Sequence, residues 1–215
     1  AIAMTDHGNT HGAYEFWKQA TAAGIKPVIG MEAYLAPGSR LEKTKVRWAD
    51  GGDDDVSGGG AFSHLTMWAT DNASMNNLFK LSSEAYPSGY YFKPRIDREL
   101  LGQYGKGLIG TTGCPGGEVQ TRLRLGQYDE ALKTAAEFRD IFGKENYFVE
   151  VMDHALEIEK RVRDDLLRLA QDLGLPLVGT NDLHYVHKED SVAHEALLCV
   201  QTGTNLDDPK RFKFE

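Results

Sequence analysis

Six short apolar runs alternating with helix-like segments constrain this chain more than any other feature, because five of the six end on a side chain able to bind a metal ion. Residues 2–4 lead to Asp6 and His7, and residues 26–31 lead to Glu32. Residues 107–110 run through Thr111-Thr112-Gly113 to Cys114, and residues 147–151 close near Asp153 and His154. Residues 175–179 end at Asn181-Asp182-Leu183-His184. The exception is the run 62–69, which opens on His64 instead of ending on it. Short continuous apolar runs bounded by turn residues read as strands buried on both faces.

The intervals carry helical periodicity. Ala13, Phe16, Ala20 and Ala23 share a face before a capping Gly24. Asp71 fits an N-cap for a helix with Met75, Leu78, Phe79 and Ala85 inward. Asp129 opens another, with Leu132, Ala135, Phe138 and Phe142 in phase and Gly143 after it. Val162, Leu166, Leu169 and Leu173 define the longest, stopped by Gly174 and Pro176. Buried strands alternating with amphipathic helices predict a parallel β/α architecture, in which chemistry gathers at the C-terminal strand ends. Two stretches break this rhythm. Residues 50–60, acidic and glycine-rich, read as a flexible loop, and residues 86–98 mix Tyr90, Tyr91, Phe92, Lys93 and Arg95.

Bulk properties narrow the partners only weakly. The net charge of −8, from 24 basic and 32 acidic residues, argues against non-specific nucleic-acid binding. Divalent ions held by those acids would reverse the local sign. Two distant cysteines make a disulfide framework a poor expectation, and with no signal peptide or membrane-length run the expected location is cytoplasmic, away from membrane. The abrupt apolar start at Ala1-Ile2-Ala3-Met4, read as a buried strand, predicts a piece of a longer protein.

Asp182 and His184, two apart, face the same way in a strand and can address one ion. Adjacent Asp6 and His7 cannot both do so, which places one of them on the turn to Gly8. Each Asp also suits a helix-capping role, but two acid–imidazole pairs at strand ends favour metal. Glu32 is costly to bury unless it meets either an ion or a basic neighbour, and both readings stand. His64 alone fits a satisfied core histidine, and Cys114 fits either a small buried hydrophobe or a thiolate approaching an ion from a glycine-lined turn. Glu150 and His154 suit outer partners of ligands or groups facing substrate. Cys199 reads as core, and His11, His187 and His194 as surface or interface residues. Neither a Gly-x-Ser-x-Gly elbow nor a phosphate-binding P-loop is present.

Five motifs, in order, carry a resemblance: Thr5-Asp6-His7-Gly8-Asn9, residues 24–34, His64-Leu65-Thr66, Thr112-Gly113-Cys114 and Thr180-Asn181-Asp182-Leu183-His184-Tyr185. Together they resemble the polymerase-and-histidinol-phosphatase (PHP) domain, in the form found in the alpha subunit of bacterial DNA polymerase III. Lys93-Pro94-Arg95-Ile96-Asp97 and His194-Glu195-Ala196-Leu197-Leu198 are similar as well. The resemblance implies an α/β fold, a distorted TIM-like β/α barrel truncated at its N-terminus. Residues 1–190 would be a metal-dependent phosphoesterase domain and residues 191–215 a connector towards the polymerase palm. It implies up to three divalent metals, zinc or manganese, held by His7, Glu32, His64, Cys114, Asp182 and His184, with Asp6 supporting the first turn. The family's opening His-x-His motif would lie upstream of Ala1.

The function implied is a 3′→5′ proofreading exonuclease on a DNA primer-template, among replisome subunits, with the polymerase site outside this fragment. Asp182, His184 and His7 would carry the catalysis by multi-metal phosphoryl transfer, and Tyr91, Lys93 and Arg95 would steer the frayed primer end. The alternatives are a metal-stabilised docking module without nuclease activity and a free-standing phosphatase.

Overall fold

The computed structural model describes residues 1–49, 55–209 and 211. They form two units, residues 1–180 and residues 181–215. The first begins with strand β1 (Ile2–His7), helix α1 (Ala13–Ala22) and strand β2 (Pro27–Leu35). A single turn, α2 (Ser57–Gly60), precedes β3 (Ser63–Ala69), α3 (Asn72–Gly89), β4 (Arg95–Ile96) and α4 (Arg98–Tyr104). Then come β5 (Leu108–Thr111), α5 (Glu118–Arg124), α6 (Tyr128–Phe142), β6 (Tyr147–Val151), α7 (Glu157–Leu173) and β7 (Leu177–Gly179).

The strands join in the order β1-β2-β3-β5-β6-β7, with β4 added beside β2, as a curled half-barrel of the distorted TIM type. The expectation of a wholly parallel sheet needs correction. β3 runs antiparallel to both β2 and β5, while the other pairings are parallel. This reversal explains the exceptional position of His64. The start of an antiparallel strand lies beside the ends of its neighbours, so all the chemistry-bearing positions of β1, β2, β3 and β5 share one rim.

Apolar residues of alternate strand positions meet the helices. Met31, Ala33, Leu35, Leu65 and Met67 pack with Leu78, Leu81, Phe138, Phe142, Leu166 and Leu169 in one core. Helix boundaries follow the local signals: Asp71 caps α3 in a reciprocal box with Ser74, and Gly174 takes the left-handed conformation that ends α7. Phe79 and Ala23, expected inward, are exposed. Ile2 is exposed too, because β1 is an edge strand with β2 as its sheet neighbour. Of the presumed flexible loop, residues 50–54 lie outside the described residues. Within the rest of it Val56 and Gly60 are buried, with the Gly60 carbonyl accepting from the Val46 amide and the Gly60 amide donating to the Val56 carbonyl, while Gly58 and Gly59 are exposed.

The segment after β2 is pinned by Asp97, which caps α4 through the Leu100 amide and accepts from the Arg40 amide and guanidinium at 2.8 and 3.1 Å. Asp97 is buried, so Asp97→Ala removes both the N-cap of α4 and one of the two carboxylates paired with Arg40, which keeps Glu99 at 3.0 Å. We expect a loss of about 2 kcal/mol, against about 1 for an N-cap alone, read from the denaturant midpoint.

In the second unit, helix α8 (Ser191–Thr202) buries Cys199 and ends at left-handed Gly203. Arg211 pairs with Glu195 at 2.8 Å. Among the described residues, no helix is long and apolar enough to cross a membrane.

Candidate metal centre

Glu32 lies inside β2, which continues three residues beyond it, and not at the strand end as the apolar run suggests. Hydrogen-bonded neighbours on both sides bury it to 4% exposure. In register, Glu32 pairs with His7 of β1 and Thr66 of β3, and Tyr34 pairs with His64. Residues two apart in a strand share a face, so His7, Glu32, Tyr34 and His64 all project from the same side of the rim. β5 delivers the last member, since Cys114 sits three residues past its end, after left-handed Gly113.

The Glu32 carboxylate divides its two oxygens. Oε1 is 2.6 Å from His64 Nδ1 and accepts from Cys114 Sγ at 3.4 Å. Oε2 is 3.6 Å from His7 Nδ1. His64 Nδ1 and Cys114 Sγ are themselves 3.3 Å apart. Burial alone would push the Glu32 carboxyl up. The hydrogen bond and charge of His64, the charge of His7 and the Cys114 thiol outweigh it and hold the carboxyl at about 2. Glu32 is therefore an anion at neutral pH. Tyr34 is pushed the other way, to about 12, by burial and then by the Glu32 charge, and stays a phenol.

Glu32, His64 and Cys114 offer one donor atom each within 4.8 Å of one another. Metal–ligand lengths of about 2.0–2.3 Å in a tetrahedron place ligand atoms about 3.3–3.7 Å apart. Two of the three edges, 3.3 and 3.4 Å, have that length, and the third is a hydrogen bond. A mixed nitrogen, oxygen and sulfur set suits a zinc-like ion better than magnesium. The donors fit a divalent metal.

The remaining expected residues fall in several places. Asp6 faces away from His7 and accepts from the Gly12 amide at 2.9 Å, fixing the entry to α1. Glu150 is buried and accepts from Thr111 and Thr180 at 2.6 and 2.5 Å, bracing β5 against the end of β7. His154 binds Glu159 through both its amide and its ring Nδ1, at 2.7 and 2.5 Å. Lys93 places its ammonium 5.6 Å from the centre of the Tyr34 ring, at the edge of the cluster, and Tyr91 packs against the Tyr34, Ala61 and Phe62 group.

Arg95 requires a correction. Its side chain is 1% exposed and donates to the carbonyls of Gly89, Ala61, Arg40 and Glu42. A guanidinium saturated by main-chain carbonyls holds loops together and does not reach for DNA.

Asp182 and His184 belong to the second unit. The strand geometry expected to align them does not form, because β7 ends at Gly179. Asp182 adopts a left-handed φ of 41°, a strained conformation for a residue with a Cβ, and its carbonyl lies 2.7 Å from His184 Nδ1. The His184 and Tyr185 rings each lie 5.5 Å from that of His194, which is partly buried and not a bare surface residue. Sequence reasoning also missed Tyr34. Its signal was available: two residues after Glu32 in one strand, it had to share that face.

A protein-family model described as the PHP domain matches residues 1–154. The chain is similar over its whole length to DNA polymerase III subunit alpha of Mycobacterium leprae, at 57% identity, and of Saccharopolyspora erythraea, at 55%. The same subunit of Deinococcus radiodurans is 47% identical. The chain spans 18%, 19% and 15% of these relatives, under a fifth of each.

Proposed function

Because this chain belongs to the PHP domain family and corresponds to that domain of DNA polymerase III alpha subunits, we propose that it is a metal-dependent 3′→5′ exonuclease acting on a DNA primer-template within the bacterial replicase. The observation that carries this reading is the buried convergence of Glu32, His64 and Cys114 from three different strands or strand ends. His7 joins them through the second Glu32 oxygen, and the motif resemblance alone adds Asp182 and His184. Residues 1–190 form the phosphoesterase domain in this reading, and 191–215 the connector towards the palm.

Bound divalent ions, zinc or manganese and up to three, would supply Lewis acidity and activate water for attack on the terminal phosphodiester. The chain's own part is to hold and screen. Glu32 is kept ionised by the imidazoles beside it, and its two oxygens face different partners, the disposition of a carboxylate that serves two positions at once. Tyr34, held as a phenol, contributes a hydrogen-bond donor and an apolar wall on the same face. Lys93, over that ring, supplies a cation at the edge of the site for a phosphate of the primer strand. A replicase subunit of this kind works in the cytoplasm with DNA and other replisome subunits as partners.

The test is degradation of a mismatched primer by the full-length subunit and by its Asp182→Ala form. We expect the variant to lose at least about a hundredfold, the upper figure for disturbing even an outer partner of a metal ligand. Equal degradation by both would remove Asp182 from the active site, and degradation by neither would leave a metal-stabilised docking module.

A further inference from the structure

The turn that carries Cys114 is held at every carbonyl from Gly113 to Gly116. The Cys114 carbonyl accepts from the Gly117 amide at 2.8 Å. The Gly116 carbonyl accepts from the His64 amide at 3.0 Å and the Ser57 hydroxyl at 3.4 Å. The two carbonyls flanking that of Cys114 are taken by side chains of a single helix. Gln120 Nε2 donates to the Gly113 carbonyl, and Arg124 Nη1 donates to the Pro115 carbonyl, which Thr121 Oγ1 also approaches at 3.5 Å.

Gln120 and Arg124 are four apart in α5 and therefore share one helix face. Gln120 is 3% exposed, and an amide so deeply buried must be satisfied. The geometry requires little slack: a Cβ at Gly117 would come within 2.7 Å of the Thr112 carbonyl, and one at Gly116 within 3.1 Å of His64 Nδ1. The turn thus sits wedged between α5 and the strand bearing His64. The peptide planes that carry the Gly113, Pro115 and Gly116 carbonyls cannot rotate without breaking a bond to one or the other.

We propose that Gln120 and Arg124 are positioning residues for the Cys114 thiolate. By clamping the carbonyls on either side of it they aim Sγ at Glu32 and His64, so that the sulfur is in place before an ion arrives. The inference rests on the metal reading of the site given above. Groups that orient a ligand are worth about tenfold to a hundredfold in metal affinity when removed.

The experiment is a cobalt(II) titration of the full-length protein, followed by the thiolate-to-cobalt charge-transfer absorption, with Cys114→Ser as the blank. Wild type should show a band that the blank lacks. Gln120→Met and Arg124→Met should each weaken cobalt binding by about tenfold to a hundredfold and dim the band at saturation. Arg124→Lys, which keeps a donor for the Pro115 carbonyl, should restore most of both. Gln120→Asn keeps the amide but shortens its reach, and carries the same expected loss should Gln120→Met fail to fold. A wild-type protein without a Cys114-dependent band would overturn the metal reading itself. A normal wild-type band, with affinity and band unchanged in the Gln120 and Arg124 variants, would overturn the clamp alone.

Discussion

Glu32→Gln is expected to leave the fold standing and to strip the site of its metal affinity. The substitution changes one oxygen to an amide nitrogen, so volume and packing inside β2 are conserved. What it removes is the charge on which every other member of the cluster depends. Glu32 currently gives Oε1 to His64 and Cys114 and Oε2 to His7. An amide offers one neutral acceptor and turns its other end into a donor. We expect metal affinity to fall by more than about a hundredfold, beyond the loss seen when only an outer partner goes. Exonuclease activity should fall with it. The metal-free protein should melt within about 2 kcal/mol of wild type, because a neutral amide costs less to bury than a carboxylate and offsets the lost ion pairs. Calorimetric metal titration and melts in chelator would check both halves. Wild-type binding of zinc or manganese by Glu32→Gln would remove Glu32 from the site. In wild type, affinity should also decline on acidification, since the imidazole and thiol must shed protons to ligate.

Much of this site was legible before any coordinates, and the reason lies in the spacing of particular residues. His7 and Cys114 follow apolar runs that end at the rim, and Glu32, although it lies inside β2, reaches the same rim because β2 runs between β1 and β3. The helix ends at Asp71, Gly143 and Gly174 were equally legible, because capping chemistry is local. Strand direction is not local. Within residues 62–69 the one sign that β3 runs against its neighbours was His64, placed at the start of the run and not at its end. Register arguments also failed where the strand itself stopped: Asp182 and His184 alternate properly only if β7 continues, and it ends at Gly179. The contribution of Gln120 and Arg124 was hidden for a different reason. Side chains that bind main-chain carbonyls leave no pattern in the residues they hold, so nothing about Gly113 or Pro115 points to helix α5. Arg95 misled most. A basic residue among aromatic ones reads as a nucleic-acid surface, and only burial distinguishes that from a strut.

That distinction sets the second large effect, in Arg95→Met. Three separate stretches of chain end on this guanidinium: the C-terminus of α3 at Gly89, the entry to β3 at Ala61, and the loop carbonyls of Arg40 and Glu42. Methionine fills much of the volume and satisfies none of these carbonyls. Each lost partner costs about 1–3 kcal/mol when the group stays buried, and loop relaxation absorbs part of the sum. We expect a net loss of about 4 kcal/mol, a large share of a total of about 5–15 for a typical domain. The melting temperature should fall by about 10 °C. Arg95→Lys should recover less than half of it, because an ammonium presents its protons at one point and cannot span four carbonyls. Had Arg95 steered DNA, its replacement would weaken primer binding and leave the melting temperature alone; that outcome would restore the surface reading. The structure predicts the reverse order. Ala61 leads through Phe62, whose ring stacks on His64 at 5.9 Å, directly into the strand that holds this proposed metal donor. Loosening Arg95 should therefore weaken metal binding as a consequence of lost stability, whereas Glu32→Gln should weaken it at nearly constant stability. The pair of variants separates what builds the rim from what works on it.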